Sequence, residues 1–198
     1  GLYILGKLQI DNGHYYLGEA EAINFRDEAP GIIEVNGGLL EANQIAISSS
    51  ATLGNFSFLV NGGEVRITRE YGGDDNRAML NLDTEDMVFS MTGGEVRIQD
   101  VTGHDPNAIH IASGDGNYNV TGGTVYIDVN NTATVRSTAP FYNLQINNGS
   151  NLSLQEELTV LGDLYIQNGG TLTTSGNDVY IGDDFELADG GSYLHGGN

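Results

Sequence analysis

Short runs of alternating apolar and polar residues follow one another along this chain, and glycine-rich turns separate them. Residues 64–67 and 95–98 are typical, since each run follows a Gly-Gly pair and has an apolar residue at every second position. A period of two is that of a β-strand with one buried face. No segment of useful length has the 3.6-residue period of a helix. The pattern therefore predicts an all-β fold.

The strand-like runs belong to a repeat of three strands and three turns. Residues 60–67, 91–98 and 120–127 share one phrase, with steps of 31 and 29 residues between copies, and a weaker copy at 35–42 lies 25 residues earlier. Two further apolar runs recur before the Gly-Gly pair. Regular units without helices are typical of solenoids, in which each unit forms one coil.

A second, shorter repeat flanks the first. Residues 2–13 match residues 158–169, and a degenerate third copy at 179–190 follows 21 residues later. Residues 144–149 repeat the second half of this phrase once more. The shorter period indicates smaller coils near both ends of the chain.

We expect one domain over 1–198, a parallel β-helix of about seven or eight coils with three short strands each. Shorter coils are expected at 1–30 and 141–198, and coils of 25–31 residues at 31–140. Stacking would form two inward ladders, one of Val65, Val96 and Val125 and one of Ile67, Ile98 and Ile127. An antiparallel β-sandwich is the alternative, but it does not explain the regular strand spacing. The sequence begins within a strand-like run and ends just after a repeat phrase, so we expect the chain to be part of a longer protein.

The paired glycines are predicted to form the turns between strands. A coil must bend sharply there, and glycine adopts left-handed backbone conformations at little cost. Stacked turns also bring backbones close together, which leaves no room for a Cβ. The predicted turn residues are Gly37, Gly38, Gly62, Gly63, Gly93, Gly94, Gly122, Gly123, Gly169 and Gly170.

The charge of the chain excludes several classes of partner. There are 27 acidic against 7 basic side chains, a formal net charge of −20. Such a surface repels phosphate, which argues against nucleic acid and anionic lipid as partners. No apolar run approaches the roughly 18 residues that span a bilayer. The absence of cysteine excludes disulfides and thiolate metal sites.

One phrase of the chain resembles a known group of proteins. Residues 158–172, with 141–148 upstream, look like the repeat regions of very large secreted or surface proteins of Bacteroidota. Those proteins are often adhesin-like, and many are exported by the type IX secretion pathway. The resemblance covers residues 141–198 well and 1–18 fairly. It implies a bacterial extracellular or cell-surface location and an adhesive role.

Parallel β-helices also include polysaccharide lyases and hydrolases, and hydrolysis of glycosidic bonds needs clustered carboxylates. The phrases at Asp74-Asp75 and His104-Asp105 lie one coil apart and are the best candidates for a catalytic group. They fall in turns and lack an accompanying Arg-x-Lys phrase. His110 alternates with isoleucines and is expected to point into solvent. We therefore expect no enzymatic activity, with a polysaccharide lyase or hydrolase as the alternative.

Calcium is the candidate small ligand, and no cofactor is required. Hard cations prefer clustered carboxylate and carbonyl oxygens. Adjacent coils carry such carboxylates in their loops, although the spacing matches no standard calcium loop, and a solvated acidic edge is the alternative. The residues are Asp74, Asp75, Asp83, Asp86, Asp105 and Asp115.

The most distinctive predicted surface feature is an outward ladder of Glu41, Arg66, Arg97 and Tyr126. Stacked like charges repel, and Glu64 and Glu95 on the same face can offset that repulsion. The ladder is either simple charge pairing or a shallow glycan-binding strip with Arg66, Arg97 and Tyr126 as contacts.

The sequence thus predicts a structural or adhesive rod segment of a surface protein. Its expected partners are carbohydrate or another surface ligand, and either neighbouring coils of its own chain or further copies stacked end to end.

Overall fold

A computed structural model describes residues 1–18, 22–26, 30–48, 55–68, 77–101 and 107–196. These residues form 22 β-strands and no helix. Every strand pairing among them is parallel, and each joins a strand to its equivalent one coil later. The chain is therefore an all-β parallel β-helix, as the repeats predicted. We number the strands β1 to β22 in chain order and group them into three faces.

The first face is one continuous ladder of nine strands. Its strands are β1 (Leu2–Ile4), β4 (Ala22–Phe25), β7 (Gln44–Ile47), β10 (Leu80–Leu82), β12 (Asn107–Ile111), β14 (Thr132–Ser137), β16 (Asn151–Leu154), β19 (Thr171–Thr173) and β22 (Ser192–Leu194).

The second and third faces share two long strands, β11 (Val88–Ile98) and β13 (Tyr118–Ile127). The second face comprises β2 (Lys7–Ile10), β5 (Ile32–Val35), β8 (Ser57–Val60), the first halves of β11 and β13, then β17 (Leu158–Val160) and β20 (Val179–Ile181). The third face comprises β3 (His14–Tyr16), β6 (Leu39–Ala42), β9 (Glu64–Ile67), the second halves of β11 and β13, then β15 (Asn143–Ile146), β18 (Leu164–Ile166) and β21 (Phe185–Leu187).

These strands make eight coils, and β22 begins a ninth. The coil count agrees with the prediction, but three coils differ from the expected three short strands. The coil of β14 and β15 has only an isolated bridge at Phe141 on the second face, and the other two contain β11 and β13. In β11 and β13 the chain passes through the Gly-Gly corner without leaving the ladder. The pairing of β11 with β13 shifts register between Met91 and Glu95, so a bulge bends the continuous strand around the corner.

Inward side chains form the predicted ladders. Val65 pairs with Val96 and Val96 with Val125, and all three are buried. The aromatic rings of Phe58 and Phe89 stack on successive coils with centroids 6.3 Å apart. The buried apolar residues form one contiguous cluster along the axis. Each fully buried large aliphatic side chain contributes roughly 1.5–3 kcal/mol, so stability grows with every stacked coil.

The corner between the second and third faces needs glycine for two separate reasons. Gly63 has a φ of +69°, which disfavours any residue with a Cβ. A Cβ at Gly62 would lie 2.5 Å from the carbonyl oxygen of Asn36 in the previous coil. Close stacking therefore requires glycine at the first position of the pair. At the second position, both the backbone angle and close stacking require it.

The pairs at 37–38, 93–94 and 122–123 follow the same division, whereas at 169–170 the first glycine has the positive φ and the second the close backbone approach. Positive φ occurs at Gly38, Gly94, Gly123 and Gly169, and close approach to other backbone atoms at Gly37, Gly93, Gly122 and Gly170.

A ladder of polar side chains runs along the same corner. The side-chain amide of Asn36 donates to Asp11 Oδ1 at 2.8 Å, and that of Asn61 donates to Asn36 Oδ1 at 2.8 Å. Thr92 Oγ1 continues the ladder to Asn61 Oδ1 at 3.0 Å. The hydrogen bond from Asn36, assisted by Gln9, lowers the pKa of Asp11. Asn36, Asn61 and Thr92, which precede three of the Gly-Gly pairs, are therefore part of the stacking, and the sequence did not predict this role.

Three glycine-to-alanine variants separate backbone angle from close approach. Gly6 has neither constraint, Gly116 has a φ of +85° in open space, and Gly63 has both constraints. We expect losses of unfolding free energy within about 0.5 kcal/mol for Gly6→Ala, about 1 kcal/mol for Gly116→Ala and roughly 3 kcal/mol or more for Gly63→Ala. Urea unfolding measures all three, and equal losses would contradict the stacking explanation.

Candidate functional site

Outward side chains of the third face stack into one column, which we call the outer column. Its members are Tyr16, Glu41, Arg66, Arg97, Tyr126, Gln145, Tyr165 and Glu186, each in register with the next. The predicted ladder of Glu41, Arg66, Arg97 and Tyr126 lies within this column. The column has a charged part toward the N-terminal end and a tyrosine-rich part toward the C-terminal end.

Arg66 is held by carboxylates of its own face. Its Nε and Nη2 donate to the two carboxylate oxygens of Glu64, each at 2.8 Å. A second carboxylate, that of Glu41 on the previous coil, lies 3.4 Å from Nη1. The hydrogen bonds that Arg66 donates to Glu64 raise the pKa of Arg66. This bidentate geometry is the strong form of an arginine–carboxylate pair.

Arg97, stacked on Arg66, is surrounded in the same way. Its nitrogens lie 3.2 Å from Glu95, 3.3 Å from Asp128 and 3.5 Å from Glu64. Its guanidinium also lies 4.0 Å from the ring centroid of Tyr126, a cation–π contact. Carboxylates from four successive coils, Glu41 included, thus offset the repulsion between the two stacked arginines.

The charged part of the outer column is therefore a structural network. The hydrogen-bonding groups of Arg66 and Arg97 face carboxylates, and a ligand would have to compete with those contacts. This geometry favours charge pairing for the two arginines. It leaves Tyr126 at the boundary, where the ionic network ends and the tyrosine-rich part begins.

A shallow groove of about 260 Å³ begins at Tyr126 and extends along the third face toward the C-terminal end. We call it the tyrosine groove. Tyr126 and Tyr165 lie two coils apart, about 9–10 Å along the axis. Gln145 lies between them in the same column. The groove is lined by Tyr126, Asn143, Gln145, Asp163, Tyr165 and Glu186, among others.

The side chains of the tyrosine groove are held in place by the stacking. Gln145 donates to Asn147 Oδ1 at 2.8 Å, and Asn143 Oδ1 accepts the backbone N–H of Asp163 at 2.9 Å. Arg97 covers one side of the Tyr126 ring. The groove therefore presents aromatic surface and positioned amide groups with little rearrangement.

Sequence reasoning found Tyr126 and missed Asn143, Gln145 and Tyr165. The signal was available, because the phrases at 125–127, 144–146 and 164–166 share an apolar–polar–apolar pattern. The two repeat families have different lengths, and the structure shows that they share the third face.

The predicted calcium ligands are only partly described. Asp74, Asp75 and Asp105 lie outside the described residues, and Asp83, Asp86 and Asp115 do not belong to the one close acidic group found among those described. That group lies elsewhere, beside the tyrosine groove. It consists of the exposed Asp163, Asp183 and Asp184, whose carboxylate oxygens lie within 4.8 Å of one another.

The predicted catalytic residues Asp74, Asp75, His104 and Asp105 all lie outside the described residues. The described part of the first face has a polar pocket of about 240 Å³. It is lined by Asn81, Asp83, Asn107, His110, Arg136 and Gln155, among others. We call it the first-face pocket.

His110 differs from its predicted role as a solvated residue. It is partly buried in the first-face pocket, and burial lowers its pKa, opposed by the nearby charge of Asp83. Arg136 lowers this pKa further, and Glu156 raises it. The outward direction was correct, but neighbouring coils shield the ring because its stacked neighbours are large polar side chains.

Comparison with protein-family models, curated proteins and solved structures finds no match for this chain. In the described residues there is no helix that is both long and apolar enough to cross a bilayer.

The pH dependence of stability tests the environment of His110. Because its pKa is lowered by folding, the unfolded chain binds the proton more tightly, and neutral His110 favours the folded state above the ordinary pKa of about 6.5. This contribution is lost as the pH falls below that value. We expect the melting-temperature difference between wild type and His110→Gln to shift against wild type between pH 7.5 and 5. A difference that shifts toward wild type on acidification would contradict this environment.

Proposed function

We propose that this chain is a rod segment of a secreted or cell-surface protein and that it binds neutral glycans along the tyrosine groove. The observation that carries the proposal is the stacking of Tyr126, Gln145 and Tyr165 in one column of the third face. A column parallel to the rod axis suits an extended polymer lying along the rod.

The rod part of the proposal rests on the way the coils stack. Apolar ladders hold the axis together, and outward positions are mostly polar. Each coil contacts chiefly its neighbours, which is how solenoids extend a surface in one dimension. The acidic residues are spread along this surface, so they favour solubility without forming one strongly charged tail.

The glycan part rests on the chemistry of the groove. Tyrosine rings offer flat apolar surfaces for the C–H faces of sugar rings, and the phenol can bond to a hydroxyl. Gln145 and Asn143 add amide groups between the two tyrosines. Two coils separate the tyrosines, so they can contact alternate sugars of an extended chain.

The carboxylates around the groove set its expected preference. Asp163, Asp184 and Glu186 line the same surface, and each can accept hydrogen bonds from sugar hydroxyls. The same charges repel uronic acids and sulfated sugars. Neutral polysaccharides are therefore the proposed ligands.

Alanine substitution of either groove tyrosine tests this function. We expect Tyr126→Ala and Tyr165→Ala each to weaken binding of a soluble neutral β-glucan or xylan about tenfold, through loss of ring contacts. Tyr180→Ala is the matched control, since Tyr180 is 51% exposed on the second face. Isothermal titration calorimetry and affinity gels measure the binding, with unchanged melting temperature as the folding check.

Polygalacturonate serves as the acidic comparison ligand. Weaker binding of polygalacturonate than of the neutral glycans is the expected result. Equal losses in all three variants, or no binding to any neutral glycan, would overturn the proposed glycan site.

A polysaccharide lyase or hydrolase is the second candidate, and the first-face pocket is the observation in its favour. In this candidate, neutral His110 would act as a general base, with Asp83 as the neighbouring carboxylate. Arg136 in the same pocket is paired with Glu156 at 3.1 Å. That pair leaves less positive charge for an acidic sugar, so this candidate ranks second.

Turnover assays decide between the two candidates. Polygalacturonate, alginate and neutral glycans are incubated with the protein, and unsaturated and reducing ends are measured. The rod proposal expects no turnover. Activity that disappears in both His110→Ala and Asp75→Asn would overturn the rod proposal in favour of the enzyme.

A further inference from the structure

The second face contains a strand edge that is free in the middle of the rod. Residues Tyr118–Val120 of β13 pair with β11 on one side. On the other side, β15 pairs with β13 only from Thr124 onward, and no described strand other than β11 pairs with Tyr118–Val120. Described coils lie both before and after this one, so the free edge results from the way the coils stack.

A change in coil size and one proline leave this edge unpaired. Val96 pairs with Val125, 29 residues later, whereas Val125 pairs with Leu144, only 19 residues later. The shorter coil crosses the second face as residues 138–142, whose isolated bridge at Phe141 is directed to β17 and not to β13. Pro140 lies in this segment and has no N–H to donate to β13.

The free edge presents backbone donors and acceptors. Phe89 N–H donates to the carbonyl oxygen of Asn117 at 3.0 Å, so Asn117 and Asn119 direct their backbone polar groups toward β11. Successive residues of a strand direct these groups to opposite sides. Those of Tyr118 and Val120 therefore point away from β11, toward the free edge.

A groove of about 360 Å³ lies along this edge, and we call it the step groove. Tyr118 is in register with the buried Phe89 but is 37% exposed, because the shorter coil does not cover it. Leu161 is exposed at the opposite rim. The groove thus combines a free strand edge with apolar surface. Its lining includes Tyr118, Val120, Thr138, Pro140, Thr159 and Leu161.

The charges beside the step groove favour a basic partner. A smaller groove of about 230 Å³ continues from it, since Thr138 and Thr159 line both. Glu156 and Glu157 line this continuation. Glu156 Oε2 accepts from Arg136, but its Oε1 is buried and has no hydrogen-bond partner among the described residues. Glu157 forms no ion pair within the described part of the chain.

We propose that the step groove binds an extended basic peptide of a partner protein, which adds as a strand to the free edge of β13. Its main chain pairs with Tyr118 and Val120, and its inward apolar side chains contact Tyr118 and Leu161. Its lysine or arginine side chains reach Glu157 and Glu156 Oε1. A peptide is favoured over a second glycan because only a peptide has N–H and C=O groups at the spacing of a strand edge.

Fluorescence anisotropy with two labelled six-residue peptides tests the chemistry of the partner. One peptide alternates lysine and valine, and the other alternates glutamate and valine. We expect saturable binding of the lysine peptide and at least about tenfold weaker binding of the glutamate peptide. Equal binding of the two peptides, or no saturable binding of either, would overturn the proposal.

Neutralising one carboxylate separates the site from the general acidity of the chain. Glu157→Gln should weaken binding of the lysine peptide roughly threefold. Glu186→Gln is the matched control, since Glu186 lies on the third face and its loss changes the net charge equally. Equal losses in both variants would mean non-specific attraction and would overturn the proposed site.

Two substitutions of Tyr118 separate main-chain pairing from ring contact. Both Tyr118→Ala and Tyr118→Pro remove the ring, but only proline removes the N–H that faces the free edge. Proline is tolerated at strand edges, and this N–H takes no part in the ladder to β11. We expect about threefold weaker binding for alanine and roughly a further tenfold for proline. Equal losses in two variants with wild-type melting temperatures would contradict strand addition.

A modified peptide gives the same information without changing the protein. With its valines facing inward, the lysine peptide directs the backbone N–H groups of its lysines toward β13. N-methylation of those backbone nitrogens should weaken binding at least about tenfold. Unchanged binding would rule out main-chain pairing.

The peptide site and the glycan site fail separately, because the step groove lies on the second face and the tyrosine groove on the third. Tyr126→Ala should leave peptide binding unchanged, and Tyr118→Ala should leave glycan binding unchanged. Neutral-glycan binding that is lost in Tyr118→Ala, without any peptide binding, would overturn the peptide proposal and assign the step groove to sugars.

Discussion

In the strands of this molecule, each residue stacks on its equivalent in the adjoining coil, about 4.8 Å away. A side chain must therefore be compatible with a stack of side chains in the same place. Apolar residues meet this condition easily, and the ladder of Val65, Val96 and Val125 is buried along its length. The core, the corners and the outer surface all depend on this one constraint.

The corners show the constraint most directly. At the Gly-Gly corner, the backbones of successive coils approach so closely that a Cβ at Gly62 would overlap the carbonyl oxygen of Asn36. Where side chains remain at the corner, they hydrogen-bond along the axis, as Asn36 and Asn61 do. An amide is suited to this place because it carries both a donor and an acceptor and can bond to a copy of itself. Polar groups thus stack as well as apolar ones when each satisfies the next.

Stacked like charges repel one another, and the described residues contain two such stacks. Arg66 and Arg97 are stacked, and carboxylates of adjoining coils surround them. Asp163 and Asp184 are stacked near the C-terminal end, where no arginine or lysine pairs with them among the described residues. The first case stabilises the rod internally. The second leaves an exposed stack of like charges beside the tyrosine groove.

Because the sequence repeats, the fold could be predicted from it. The spacing of the Gly-Gly phrases predicted parallel coils, the inward ladders and the outward ladder through Arg66 and Arg97, because in a solenoid sequence period and spatial position coincide. It did not predict that β11 and β13 continue through the corner, because the register shift there depends on local backbone geometry and leaves no mark on the repeat spacing.

Only the tertiary structure brought Tyr126 and Tyr165 into one column, because they belong to different repeat families with coils of different length. It also placed His110 in a shielded pocket. Outward direction follows from alternation along a strand, whereas exposure depends on the size of the side chains stacked above and below.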